Sequence, residues 1–280
     1  MIPRSLLGFG ILIVSGPLIT LTTDFGTDDA YVAIMKAVIL QRCPAARFAD
    51  ITHAVAAQDV MQGAYLLRTA APFFPAGTIH LAVIDPGVGT ARKAIALRKG
   101  KTWFIGPDNG LFALVLGDDA PDELVELDRP AFWQTSNPSP TFHGRDIFAP
   151  AAAHLAAGRT LAEIGTPLNA LTTLHWAHPI ADNRGIRGSV LHIDRFGNCI
   201  TNIPQVMLHA YRRERPFKCY VGSDVLQQHH ATYSAVPRGE PLLLTDSQGY
   251  LEIAVHGGNA ADLLSIRRGA HVTFVFQDER

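Results

Sequence analysis

The sequence predicts an α/β protein: an N-terminal α/β domain with a largely parallel sheet, followed by a smaller C-terminal antiparallel β-barrel domain. Three observations predict it. Over the first half, short β-branched runs alternate with longer apolar stretches, which is the rhythm of strands joined by helices. Polar, glycine-bearing turns follow two of those runs, at the strand ends where open α/β sheets gather their ligands. Over the last third, short runs separated by turn signals leave little room for helix, as in a small barrel or sandwich.

Taken in order, Leu18 to Thr23 reads as a strand, Asp29 to Gln41 as a helix, Arg47 to Thr52 as a strand, Gln58 to Phe74 as a helix and Thr78 to Ile84 as a strand. Thr102 to Ile105 is a further strand that enters the turn Gly106-Pro107-Asp108-Asn109-Gly110. Arg145 to Ala157 reads as a helix because Ile147, Phe148, Ala151, Ala152 and Leu155 share one face. Leu168 to Arg187 has no period and contains Pro179, Asn183 and Gly185, so it suits a connector. Strands of the second domain are expected at Ser189 to Asp194, Phe217 to Val221, Pro241 to Thr245, Tyr250 to Val255 and His271 to Phe276. The expected organisation is an N-terminal extension over 1–18, the α/β domain over 19–170, a linker over 171–187 and the barrel over 188–280.

Composition excludes several classes. With 280 residues, 48% of them hydrophobic, either domain can bury a sizeable core. A net charge of −1 with 18% charged residues gives no electrostatic footprint for nucleic acid or an anionic membrane, and Arg212, Arg213, Arg215, Arg267 and Arg268 are expected to be solvated surface. Cys43, Cys199 and Cys219 are odd in number and lack CxxC spacing, which argues against disulfides and zinc and for a reducing cytoplasm. Arg4 before the apolar run Leu6 to Val14 imitates a secretory signal, but no small-x-small cleavage site follows, and the run is too short to span a bilayer.

Four segments combine polar groups with glycine or proline. In Thr23-Asp24-Phe25-Gly26, the tripeptide matches a kinase magnesium motif only by chance, since 23 residues cannot hold the loops that precede it in a kinase. Asp24 at a strand end is placed either to accept hydrogen bonds from a ribose diol or to make a cap or Asx-turn. In Asp85-Pro86-Gly87-Val88-Gly89-Thr90-Ala91-Arg92, two glycines let the backbone pass close to a ligand while Asp85 and Arg92 turn back on one another; neither GxGxxG nor P-loop spacing is present. A salt-bridged turn is the structural alternative. In Thr141-Phe142-His143-Gly144-Arg145-Asp146, His143 stands at an expected helix start, which lowers a histidine's pKa and keeps a neutral imidazole able to accept a proton. No HExxH or comparable spacing supports a metal, so no metal is expected. The fourth segment is Asp194-Arg195-Phe196-Gly197-Asn198.

In this order the four segments resemble the S-adenosylmethionine hydroxide adenosyltransferase family, relatives of fluorinating and chlorinating enzymes, over about Ile19 to Phe276. The resemblance implies hydrolysis of S-adenosyl-L-methionine to adenosine and L-methionine, with Asp85, Arg92 and His143 as the catalytic constellation. It further implies that Asp24 holds the ribose hydroxyls, that Asp194 and Ser247 hold the amino-acid end of methionine, and that Asn198 reads the adenine. Phe142, Glu252, Val255 and Gly257 look like further substrate contacts. It implies no cofactor, and a cytoplasmic homotrimer whose sites lie between the first domain of one subunit and the second of its neighbour.

Where the halide-using relatives carry tyrosine and threonine, this chain has Asp85 and Val88; it has His143 in place of a tyrosine, and Gly144 in place of the fluorinating members' serine. Gln58 and Gln248 stand where fluorinating enzymes have tryptophan and arginine. A carboxylate at Asp85 repels halide and orients water, which favours hydrolysis. Two other readings use the same residues, a halogenase and a non-catalytic sensor of adenosine or S-adenosylmethionine.

Overall fold

The computed structural model describes residues 16–117, 119–173 and 178–277. The run Leu6 to Val14 lies outside the described residues. In chain order the strands are β1 (Leu18–Thr23), β2 (Arg47–Thr52), β3 (Ile79–Val83), β4 (Ala94–Lys99), β5 (Thr102–Pro107), β6 (Glu123–Glu126), β7 (Thr166–Pro167), β8 (Ile180–Ala181), β9 (Gly185–Ile193), β10 (Cys199–Pro204), β11 (Phe217–Val221), β12 (Asp224–Leu226), β13 (Pro241–Thr245), β14 (Tyr250–Val255) and β15 (His271–Phe276). The longer helices are α1 (Tyr31–Arg42), α2 (Val60–Ala70), α3 (Ala149–Ala156) and α4 (Gln205–Arg212). Two compact units result: one takes the chain to Gln58, Phe73–Asp108 and onward to Leu171, the other Asp59–Pro72, Asn109–Gly117 and the chain from Thr172.

The sheet of the first unit runs β2-β1-β3-β5-β4-β6-β7. Its first three pairings are parallel and its last three antiparallel, so the sheet is mixed, with the expected parallel part as one half. The antiparallel half starts at Lys99-Gly100-Lys101-Thr102, where Gly100 at φ +59° turns the chain back within two residues and makes β4 and β5 a hairpin. β1 is buried along almost its whole length, as a parallel strand covered on both faces must be. Its hydroxyls need partners there, and Thr20 meets the His80 Nδ1 of β3 at 2.7 Å. Met35 and Ile39 of α1 and Ala149, Ala152 and Ala153 of α3 close one apolar core over Ile19, Leu21 and Leu81.

The helix expected from Arg145 begins differently. Gly144–Phe148 form a π-helical turn, and regular α-helix starts only at Ala149. Pro150 has no N–H to give the carbonyl of Asp146, which accepts from Gln134 N at 2.8 Å instead. The looser turn thus anchors the loop before it.

The second unit is an antiparallel sheet with the path β12-β11-β15-β9-β10-β14-β13, and β8 pairs beside β9. Past β12, His230 N donates to Leu243 O of β13 at 2.8 Å, so the sheet all but closes on itself as a barrel. Inward residues of alternate positions, among them Ile186, Val190, Leu251, Ile253, Val272 and Phe274, fill the interior. α2 crosses from β2 to β3 in sequence but belongs to this unit and packs on β9, with Asp59 Oδ1 capping its first turn through Gln62 N at 2.9 Å.

All three cysteines are buried and unpaired. Of the arginines expected to be solvated surface, Arg213, Arg267 and Arg268 are exposed, Arg268 with its Nε 3.1 Å from Asp59, whereas Arg212 and Arg215 are half-buried over Phe217 and Phe276, 5.0 Å from each ring centre. No helix among the described residues is long and apolar enough to cross a membrane.

Candidate active site

Within the first unit, the carboxyl ends of β1 and β3 open onto a cavity of about 370 Å³ lined by Asp24, Gln58, Asp85, Val88, Phe142, His143 and Gly144, among others. The 85–92 turn folds back as its glycines allow. Gly89 has φ +75°, and a side chain there would strike the carbonyl of Pro140, 2.2 Å from the position of its Cβ. Asp85 and Arg92 form a two-point ion pair, with Arg92 Nε on Oδ1 at 2.8 Å and a second, closer contact to Oδ2. Their side chains are only 6% and 9% exposed, so this is a nearly dry pair. Asp85 is on the cavity wall, whereas Arg92 lies behind it, over the Phe148 ring.

Arg92 also reaches His143 Nδ1 at 2.9 Å. A guanidinium only donates, so Nδ1 accepts and a neutral His143 must carry its proton on Nε2. Burial, then the Arg92 charge, hold His143 below the usual histidine value against the opposing charges of Asp85 and Asp146. The expected neutral imidazole is therefore present, but its free nitrogen is a donor, not a proton acceptor. Behind it, Asp146 is 1% exposed, takes Arg145 Nε at 2.6 Å and Ser139 N at 2.8 Å, and so fixes the turn that carries His143.

Asp24 caps no described helix; α1 has Ala30 at its N-cap and no side-chain cap. Its Oδ2 instead accepts from Gln58 N at 2.8 Å, with Gln58 held at φ +66°. Phe25, Tyr31 and Phe142 form an aromatic trio on the wall, with ring centres 5.2 to 5.9 Å apart.

Within the second unit, a cavity of about 620 Å³ is lined by Asp194, Asp246, Ser247, Gln248, Glu252, Tyr65, Tyr233 and His192, with other residues. Asp194 folds its own loop: Oδ1 accepts from Phe196 N and Asn198 N at 2.8 and 2.9 Å, and Oδ2 from Asn198 Nδ2 at 2.9 Å. Asn198 is thereby joined to Asp194 but is not on the cavity wall. Val255 and Gly257, at the end of β14, are not on it either. Glu252 is 4% exposed and accepts from Tyr233 OH at 2.8 Å. Burial, with Asp194 and Asp246 pushing the same way against the Tyr233 bond, raises its carboxyl to about 7. Sequence reading had not singled out Asp246, Tyr65 or Tyr233. The run Thr245-Asp246-Ser247-Gln248-Gly249 was a signal for Asp246, whose Oδ1 accepts from Gln248 N and Tyr250 N at 2.8 Å and shapes the turn bearing Ser247.

Both halves of the chain match models of one family, the SAM hydroxide adenosyltransferase N-terminal domain over residues 19–165 and C-terminal domain over 188–273. The chain belongs to the SAM hydroxide adenosyltransferase family. Within and around that family, the chain is 40% identical over 258 residues to a Thermus thermophilus protein named (R)-S-adenosyl-L-methionine hydrolase, covering 89% of this chain and 96% of that one. A fluorinase of an Actinoplanes species is more distant, 29% identical with 92% and 97% covered. Among solved structures, an uncharacterized conserved protein from Thermotoga maritima matches with a TM-score of 0.83 and 37% identity, over 92% of this chain and 99% of its own. The hydroxide adenosyltransferase fold thus accounts for both units.

Proposed function

We propose that the chain is an S-adenosyl-L-methionine hydrolase that forms adenosine and L-methionine. The observation that carries this reading is a carboxylate and an imidazole on the same cavity wall, bound together from behind by one buried guanidinium. In the reaction, a water oxygen bonds to the ribose C5′ while the C5′–S bond breaks, its electron pair returning to sulfur. The sulfonium becomes a neutral thioether, so the leaving group needs no proton. What the protein must supply is a placed water and somewhere for its proton to go.

His143 Nε2–H holds the water oxygen by a lone pair, and Asp85 accepts from a water hydrogen. With Nδ1 taken by Arg92, His143 keeps its tautomer throughout; of the three, only the Asp85 carboxylate has lone pairs to receive the proton. Arg92 is a positioning residue that acts through both neighbours. Alignment of this kind lowers a barrier by roughly 7–11 kcal/mol in favourable intramolecular cases. Asp24 holds the ribose diol beside the aromatic wall that includes Phe142, and Asp194 with Ser247 hold the methionine end, Asn198 serving the adenine and Glu252, Val255 and Gly257 lying around it. Because the attack annihilates opposite charges, a dry wall favours the transition state. The reaction as written uses no cofactor and no metal.

The residues of the two units serve one substrate when three copies assemble, the first unit of one facing the second of its neighbour, in the cytoplasm where the substrate is made. Light scattering should then give three times the chain mass. Incubation of purified protein with S-adenosyl-L-methionine should release adenosine and methionine in equal amounts by mass spectrometry; binding without products would make the chain a sensor, and a 5′-halo nucleoside in chloride or fluoride would make it a halogenase.

A further inference from the structure

An aspartate side chain ends in a soft torsion, so the residue alone does not fix the plane of its carboxylate. At Asp24 the chain that leaves β2 fixes it. Gly26 N donates to His53 O at 2.8 Å and Val55 N to Thr23 O at 3.4 Å, so residues 53–55 run along the 23–26 turn. Inside the turn, the buried Thr23 hydroxyl accepts from Phe25 N at 3.3 Å and meets Nδ1 of the buried His53 at 2.8 Å. These bonds hold the backbone on either side of Asp24. The carboxylate itself is held by Gln58 N, which donates to Oδ2 at 2.8 Å.

That last contact depends on a costly backbone conformation. Gln58 has φ +66°, in the left-handed region that L residues other than asparagine and aspartate seldom enter. Of the four described non-glycine residues with positive φ, Gln58 is the one on the wall of the first cavity. Its φ sets how the 57–58 peptide plane, which carries the N–H, lies against the chain that follows. Strain of this kind persists where the surroundings over-determine it, and it gathers at ligand sites. We propose that Gln58 is a positioning residue of the first cavity: its backbone amide, not its side chain, orients the Asp24 carboxylate toward the hydroxyls of the ribose. The inference rests on the substrate reading above and deepens it at Asp24. A carboxylate offers about four lone-pair sites, so one given to Gln58 leaves enough for both hydroxyls of the diol.

The test separates backbone from side chain. Calorimetry of adenosine against 2′-deoxyadenosine and 3′-deoxyadenosine reads the diol contact as a ratio of dissociation constants. The wild type should prefer adenosine by about ten- to a hundredfold, the worth of hydrogen bonds to a charged group. Gln58→Gly and Gln58→Asn, both at ease with positive φ, should keep the preference. Gln58→Val, whose branched side chain does not tolerate that φ, should lose it while still unfolding cooperatively. Where the valine variant does not fold, NMR of the Gln58 amide decides: its proton should resonate downfield in the wild type and move upfield in Asp24→Ala. Loss of preference in the glycine and asparagine variants, its retention in the valine variant, or an amide proton indifferent to Asp24→Ala overturns the proposal. So does a wild type that binds the three nucleosides equally, even if it hydrolyses S-adenosyl-L-methionine. Adenosine preference that follows this pattern without hydrolysis would sink the hydrolase reading and leave the role of Gln58 standing; no adenosine binding at all overturns the proposal, and the product assay then judges the hydrolase reading by itself.

Discussion

The two cavities differ in what they offer a ligand. The first presents a hydrogen-bond donor and an acceptor locked by one guanidinium, beside three aromatic rings. The second presents carboxylates with no lining cation among the described residues. The contrast teaches a division of labour. On the proposed function, the first wall would hold the attacking water and the second would receive the charged end of the substrate.

That division is easiest to break at the first wall. Asp85→Ala and His143→Ala should each lower kcat by about 10²- to 10⁴-fold, with KM changing far less, in steady-state assays of adenosine release. Arg92→Ala should do the same and also shift the pH profile. On the proposed mechanism His143 works as the neutral imidazole, and burial and then Arg92 hold its pKa below the ordinary histidine value, so the acid limb of wild-type activity should lie below that of an ordinary histidine. Without the guanidinium the imidazole protonates more readily, and the acid limb should move to higher pH. An Arg92 variant that is slow but keeps the wild-type profile would show a merely structural ion pair.

Binding residues come next in size. Asp24→Ala and Asp194→Ala should raise KM by about ten- to a hundredfold, the loss of hydrogen bonds to a charged group, with kcat less affected. Equal losses of kcat in these and the first-wall variants would erase the distinction between the two cavities.

Much of this was legible in the sequence. β1, β2, β11, β13, β14 and β15 begin and end where the apolar runs do, because turn signals flank the runs. β4 and β6 escaped, β4 ending in Arg98-Lys99 and β6 being four residues with a glutamate at each end, although the Ala94 to Pro107 stretch is a hairpin turned at Gly100. β10 and α4 escaped because Asn202 and Pro204 interrupt the apolar pattern just where strand passes into helix. The Asp85–Arg92 pairing could be read from two glycines between opposite charges. The tautomer of His143 could not, since it is set by a residue 51 positions away. Nor could the acidity of the second cavity, whose members come from three separate turns and strands.

Glu252 offers a further check through stability. Its folded pKa is raised, so its favourable contribution is complete below the ordinary glutamate value of 4.5 and is lost as pH rises through about 7. Glu252→Gln should therefore raise the melting temperature relative to wild type at about pH 8 and change it little near pH 4. The smallest effect concerns Gly144. A Cβ there would lie 3.0 Å from Phe142 Cε2 and 3.2 Å from Met35 Sδ, so Gly144→Ser should cost roughly 1–3 kcal/mol in denaturant unfolding. It should yield no 5′-halo nucleoside in chloride or fluoride, because Asp85 remains on the wall.

The central claim is that water attacks the ribose carbon from the first cavity. A single turnover in ¹⁸O-labelled water tests it most directly: the label should appear in the 5′-hydroxyl of adenosine, with methionine unlabelled. Label in homoserine, accompanied by 5′-methylthioadenosine, would mean attack on the amino-acid chain and would contradict the account.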